Sequence, residues 1–311
     1  MAEKVQIGFV GLGRMGGNMV HRIKRDSPHD VVAFDFSAEA VQRAESVGAE
    51  GVASLRELVA KLAAPRLVWV MVPAGEPTTQ TVEELAGLLE AGDTIIDGGN
   101  SRWSDDKLRA GELEPTGIDY VDVGTSGGVW GLDVGYCMMV GGPEAAVGRL
   151  APILDVLAPP PTAEHGPGWG HMGPVGSGHY VKMVHNGIEY ALMQAYAEGF
   201  NLFDACEFEL DNAKIAHLWM QGSVVRSWLC ELAARAFEGE GNELANLEPV
   251  VADSGEGRWT LEDATERRVP MPALAVSLFE RYASQGHADF ANKVNAALRA
   301  QFGGHPVERP S

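Results

Sequence analysis

The run GHYVKMVHNGIEY, from Gly178 to Tyr190, holds the densest set of reactive side chains in the chain. On a helix of 3.6 residues per turn, Lys182, His185, Asn186, Glu189 and Tyr190 share one face, at offsets of three, four, seven and eight from the lysine. The other side carries Val181, Val184, Ile188 and Ala191, the pattern expected of a helix anchored by that side in a core. A lysine with a carboxylate two turns away can work as base and acid when burial and bound substrate bring both pKa values toward neutrality. Lys182 is then the candidate base, with Glu189 as its acid partner. The ordinary alternative is a solvated Lys–Glu pair. Two features weigh against it: the chain has only seven lysines, and this one directly follows a glycine- and proline-rich stretch, Pro159–Gly178, where two domains should meet and ligands bind.

A second motif, Gly11-Leu12-Gly13-Arg14-Met15-Gly16, lies near the N-terminus. Gly11 permits a tight turn, Gly13 admits a pyrophosphate close to the backbone, and Gly16 allows a helix to pack closely on a strand. With 38 glycines in the chain, the spacing alone is a weak signal. Its context is stronger, because the loop follows the apolar run Val5–Val10, opens a helical pattern from Arg14 toward Arg25, and is followed 19 residues after Gly16 by Asp35 at the end of another apolar run. That arrangement resembles a Rossmann dinucleotide-binding unit. Asp35 would accept hydrogen bonds from ribose hydroxyls and repel a 2′-phosphate, which favours NAD over NADP, although Arg43 nearby could soften the preference.

The elements that must hold these motifs follow from periodicity. Short apolar runs at Val31–Phe34, Leu67–Val72, Thr94–Ile96, Tyr120–Val123 and Tyr136–Val140 alternate with helical stretches, as in a doubly wound parallel α/β sheet. Val72, closing one such run, is placed with the cofactor contacts. Beyond Gly178 the segments Tyr180–Cys206, Asp211–Gln221, Ser223–Phe237, Pro272–Ser284 and Ala288–Phe302 carry helical periodicity without convincing strands. The expectation is an N-terminal Rossmann domain over residues 1–177 and an all-α domain over 178–311 that serves substrate binding and oligomerisation.

Composition limits the partners. A net charge of −19, with only 24 lysines and arginines, excludes nonspecific attraction to nucleic acid or anionic membrane and points to a small molecule. An anionic substrate would need positive charge concentrated locally. Three cysteines without CxxC spacing suit a reducing cytoplasm, and no signal-like leader or membrane-length apolar run is read at either end or between them.

Taken together, "GLGRMGGNM", "DGGNS", "GTSGGVWG" and "GHYVKMVHNGIEYALMQAYAEG" resemble the decarboxylating 6-phosphogluconate dehydrogenase family over nearly the whole chain, in its short form. The resemblance implies that Lys182 takes the proton of the substrate 3-hydroxyl as hydride leaves C3 for the nicotinamide. Carbon dioxide then departs from a 3-keto acid, the protonated lysine stabilises the enediol without metal, and Glu189 protonates C1 to give ribulose 5-phosphate. It also implies substrate or nicotinamide contacts for Asn100, substrate contacts for Ser126, Gly127, Gly128, His185 and Asn186, and phosphate contacts for Tyr190 and Arg281. Arg299 and His305 would enter a neighbouring subunit's site in a homodimer or homotetramer.

One departure concerns phosphate. Long-form members read KGTGKWT where this chain has Ser254-Gly255-Glu256-Gly257-Arg258-Trp259-Thr260, so a lysine is lost and an acid replaces a threonine. Either Glu256 turns away, with Ser254 or Arg258 compensating, or the substrate differs. The rival readings are a dehydrogenase of another β-hydroxyacid that does not decarboxylate, and a noncatalytic dinucleotide sensor.

Overall fold

A computed structural model describes residues 4–303 together with residues 306 and 308, the side chains of residues 302 and 303 excepted. The chain separates into two compact units, Met1–Met183 and Val184–Ser311.

The first unit alternates strands and helices: β1 Gln6–Val10, α1 Arg14–Asp26, β2 Asp30–Phe34, α2 Ala38–Ser46, β3 Glu50–Gly51, α3 Leu55–Lys61, β4 Leu67–Val70, α4 Glu76–Ala86, β5 Thr94–Asp97, α5 Trp103–Leu113, β6 Asp119–Ser126, α6 Gly131–Val134, β7 Cys137–Gly141, α7 Glu144–Leu157 and β8 Trp169–Gly173. The strands form one sheet in the order β3-β2-β1-β4-β5-β6-β7-β8. Every pairing is parallel except β6 with β7, so the sheet is mixed near one edge rather than wholly parallel. Helices on both faces explain why the central strands read as continuous apolar runs. Side chains still alternate: Ile7, Phe9, Leu67 and Trp69 enter one core, while Val10, Val68 and Val70 enter the other. The strand order reverses between β1 and β4, the position at which open α/β sheets bind ligands beyond their carboxyl ends.

Two local expectations need correction. The Pro159–Gly178 stretch, read as the junction between domains, contains the strand β8, which among the described residues pairs with β7. An edge strand needs only one apolar face, and β8 reads WGHMG with its residues half-buried or exposed, so it carries no apolar run to detect. The helical region also contains an extra helix, described below, that the apolar pattern does not announce.

Helix α8, Ser177–Asp204, passes through the division between the units. In the second unit it is followed by α9 Asn212–Trp219, α10 Trp228–Glu240, α11 Glu256–Glu266, α12 Pro272–Ser284 and α13 Asp289–Gly303. Asp211 caps α9 by accepting from Lys214 N, and Ser227 caps α10 by accepting from Cys230 N. Phe200 of α8 packs with Ala216, Cys230 and Ala234 in one cluster, and Tyr190 packs with Leu274 and Leu278 in another. Among the described residues, no helix is long and apolar enough to cross a membrane.

Candidate active site

The loop from β1 to α1 has the shape its glycines were expected to allow. Gly11 sits at φ +92° and a β-carbon there would press on the Met71 backbone, while one at Gly16 would strike the Gly11 carbonyl. At Gly13 a β-carbon would meet nothing within 4 Å, so this side of the loop is open to an approaching group. Leu12 is buried, Met15 half-buried and Arg14 exposed. The Asp35 carboxylate accepts from Leu12 N at 2.6 Å and from Ser37 N at 2.8 Å, so it braces the loop and retains lone pairs for further donors. Val72 lies beside Gly11, whose added β-carbon would come within 3.1 Å of its Cγ1. Phe36, unremarked in the sequence, stands 93% exposed next to Asp35 and edge-on to Phe34. These features fit a dinucleotide.

At the end of β5, Gly99 N and the Ser101 hydroxyl donate to the two oxygens of Asp97, at 3.0 and 2.7 Å. A side chain at Gly98 would collide with the Trp69 indole. The turn so pinned leaves Asn100 exposed at its tip. One strand away, β6 runs into Ser126, Gly127 and Gly128; the two glycines take φ +135° and +52°, and Ser126 is paired in register with Cys137 of β7. Lys182 is 8% exposed, and its Cβ lies over Gly124, where a methyl group would clash. Burial pushes the Cys137 thiol up while the Lys182 charge opposes the shift, which places that thiol in the field of the lysine.

Beneath this surface is a charged cluster for which the sequence offered no signal. Asp97, Asp106 and His179 bring possible ligand atoms within 4.8 Å of one another. The same oxygens already receive other donors: Tyr120 Oη lies 3.0 Å from Asp97 and 3.2 Å from Asp106, and Arg109 lies 3.2 Å from Asp97 and 3.8 Å from Asp106. A guanidinium thus supplies the positive charge that a metal would bring. His179 Nδ1 is 2.7 Å from Asp106 Oδ2. Burial works to lower the His179 pKa, but Asp106, with Asp97 and Asp122 behind it, overrides burial and pushes the ring up to about 10. Burial pushes Asp106 up to about 6 against the pull of His179.

The raised histidine stabilises the fold fully below its ordinary value of 6.5, and that contribution is lost as pH rises through about 10. Urea unfolding of the first unit should therefore show stability declining between pH 6.5 and 10, with a shallower decline in His179→Gln. Equal slopes in the two proteins would contradict a charged His179.

Along α8 the buried side differs from expectation. Val181 and Ile188 are 37% and 53% exposed, whereas Lys182, Asn186 and Tyr190 of the polar face are each below 10%. The polar face is the anchored one, because Gly124 receives Lys182 in the first unit and Gly257 leaves room for the Tyr190 ring in the second. His185 Nδ1 lies 3.0 Å from Asn186 Oδ1 and 3.8 Å from Glu189 Oε2. Tyr190 Oη contacts Asp253 and Ser254 at 3.1 and 3.0 Å, and the Arg281 guanidinium stacks 3.6 Å from the Tyr190 ring centre. Glu256 is buried at 3% exposure, its Oε2 without a hydrogen-bond partner among the described residues, while Ser254 and Arg258 are exposed. Arg299 is exposed on α13 and, among the described residues, is not bonded to Tyr190 or Arg281. His305 lies outside the described residues.

Comparison with known proteins identifies the family of both units. The profile of the NAD binding domain of 6-phosphogluconate dehydrogenase matches residues 6–166, and that of the 6-phosphogluconate dehydrogenase C-terminal domain matches residues 178–307. An NAD(+)-dependent, decarboxylating 6-phosphogluconate dehydrogenase of Haloferax volcanii is 45% identical over 305 residues, covering 98% of this chain and 99% of that protein. The 6-phosphogluconate dehydrogenase of Plasmodium falciparum, solved in its apo form, with NADP+ and with 6-phosphogluconate, superposes with a TM-score of 0.82 at 27% identity, over 98% of this chain and 66% of that one. A 3-hydroxyisobutyrate dehydrogenase of Mycobacterium tuberculosis shares the fold, with a TM-score of 0.72 at 20% identity over 92% of this chain and 94% of that one.

Proposed function

The chain belongs to the 6-phosphogluconate dehydrogenase family, and from that premise we propose that it converts 6-phosphogluconate and NAD to ribulose 5-phosphate, carbon dioxide and NADH. The observation that carries this reading is the end-to-end match to an NAD(+)-dependent, decarboxylating relative. NAD supplies the hydride acceptor. Lys182 removes the proton of the 3-hydroxyl, and the resulting ammonium stabilises the negative charge that develops on that oxygen when the C1 carboxylate leaves. Its near-complete burial strengthens both effects, since a charge is felt more strongly away from water. Glu189, two turns along α8, returns a proton to the carbon that lost carbon dioxide.

In this reading Asn100, Ser126, the Gly127 and Gly128 backbone, His185 and Asn186 hold the sugar acid. Gly11 to Gly16, Asp35 and Val72 hold the coenzyme, with Phe36 as an apolar platform beside its adenosine end. Tyr190 and Arg281 bind phosphate, and exposed Ser254 and Arg258 stand in for the long-form lysine and threonine while Glu256 is withdrawn from the surface. Arg299 and His305 complete a neighbouring copy's site in a homo-oligomer. Unpaired Cys137, Cys206 and Cys230 suit a reducing cytoplasm.

Incubation with 6-phosphogluconate and NAD is expected to release NADH and carbon dioxide in equal amounts, with much weaker turnover on NADP. NADH formed without carbon dioxide, or formed only from unphosphorylated acids, would sink the assignment. An active monomer in analytical ultracentrifugation would reject the shared site.

A further inference from the structure

The early turns of α8 present Lys182, yet the first N–H groups of a helix have no partners within it. Two backbone N–H groups at this end, those of Gly176 and His179, are taken by one side chain from another element. Asp122 of β6, fully buried, accepts from Gly176 N at 2.7 Å and from His179 N at 2.8 Å. The same face of β6 carries Gly124 and then Ser126, because strand residues two apart point the same way. Asp122 thus grips the backbone at His179, and Gly124 receives the Cβ of Lys182 three residues further along the helix. Gly178 lies against the β6 and β7 backbone, where a β-carbon would come within 2.7 Å of Asp122 O. From another direction the His179 ring is held by Asp106, which is itself fixed by Tyr120 and Arg109.

These contacts determine both the rotation of α8 about its axis and its position along β6. We propose that Asp122, with His179 and Asp106, is the positioning device for Lys182, setting the helix in the one register that extends the lysine from Gly124 toward the Ser126–Cys137 pair. Two strand residues span about 6.6 Å, a distance that a lysine side chain can cover. The influence of the Lys182 charge on the Cys137 thiol agrees with that course. None of the three is a catalytic residue; each acts through the helix.

This inference rests on the reading of Lys182 as the base, and the test separates the two. Because a displacement of about 1 Å can cost about 100-fold in rate, Asp122→Ala is expected to lower kcat by about that factor with KM for NAD unchanged. Asp122→Asn, which keeps an acceptor oxygen, should recover about tenfold of it. The rate of Cys137 alkylation by iodoacetamide, followed by peptide mass spectrometry across pH, reports the lysine without turnover. Lys182→Met should move that profile to higher pH, and Asp122→Ala should move it in the same direction. Should Asp122→Ala fail to fold, Asp122→Asn and His179→Gln carry the same two readouts with smaller displacements. Wild-type kcat together with a wild-type Cys137 profile in these variants would overturn the proposal. A displaced profile in Asp122→Ala beside an active Lys182→Met would instead uphold the positioning and remove Lys182 as base.

Discussion

Lys182→Met is expected to lower kcat/KM for 6-phosphogluconate by about 100- to 10,000-fold, the range over which a positioned proton-transfer group acts, while NAD binds as before. Methionine is close in length to the lysine and apolar, so it can lie along Gly124 where the lysine stem lies. What is lost is the basic nitrogen and the charge it acquires. The coenzyme loop is built on β1 and α1 and braced by Asp35, none of which touches the lysine's role. Lys182→Arg should not restore turnover, since a guanidinium keeps its proton at any working pH. Steady-state NADH formation and fluorescence titration with NAD measure the two halves of the prediction. Turnover within a few-fold of wild type would remove Lys182 from the chemistry.

Arg109→Met should destabilise the first unit by about 3–5 kcal/mol, the usual cost of removing one partner from a buried ionic cluster. Arg109 is 3% exposed and donates to Asp97 at 3.2 Å and to the Thr79 hydroxyl at 3.1 Å, with Asp106 at 3.8 Å. Without it, Asp97, Asp106 and Asp122 would share the interior around His179 with one cation fewer. Native stabilities are commonly about 5–15 kcal/mol, so the loss is a large fraction, and it corresponds to a melting temperature lower by about 10 °C. Adding Asp97→Asn to Arg109→Met should recover part of it by removing a charge that has lost its partner. A shift below about 2 °C in the single variant would mean that the carboxylates do not depend on Arg109.

How much of this was legible in the sequence depends on whether burial and hydrophobicity coincide. They do in β1, β2, β4 and β5, which are covered on both faces and therefore appear as apolar runs. They do not in α11, whose buried residues are Glu256, Gly257, Thr260, Asp263 and Ala264, a face with no apolar stripe to recognise. The same separation misled the reading of α8: Val181 and Ile188 look like anchors and are exposed, while the lysine and asparagine are enclosed. The candidate residues on α8 could be named from the sequence because helical spacing groups them without reference to the rest of the fold. Asp122, Asp106 and His179 were not, since they meet across 57 and 73 residues of sequence and no local pattern marks a tertiary bond.

Helix α8 is unbroken from Ser177 to Asp204, and that continuity makes the chemistry sensitive to a kind of change that point substitutions do not probe. The proposed base and acid, Lys182 and Glu189, are graduations on a single ruler, about 10 Å apart along its axis at about 1.5 Å per residue. Insertion of one residue between Lys182 and Glu189 would lengthen that interval only slightly but would swing one group about 100° around the axis from the other. An insertion in the exposed turn Thr162–Gly166, well before the helix begins, leaves both graduations where they are. Length variation in this enzyme should therefore be tolerated in loops on either side of the ruler and forbidden along the six residues that separate its two marks.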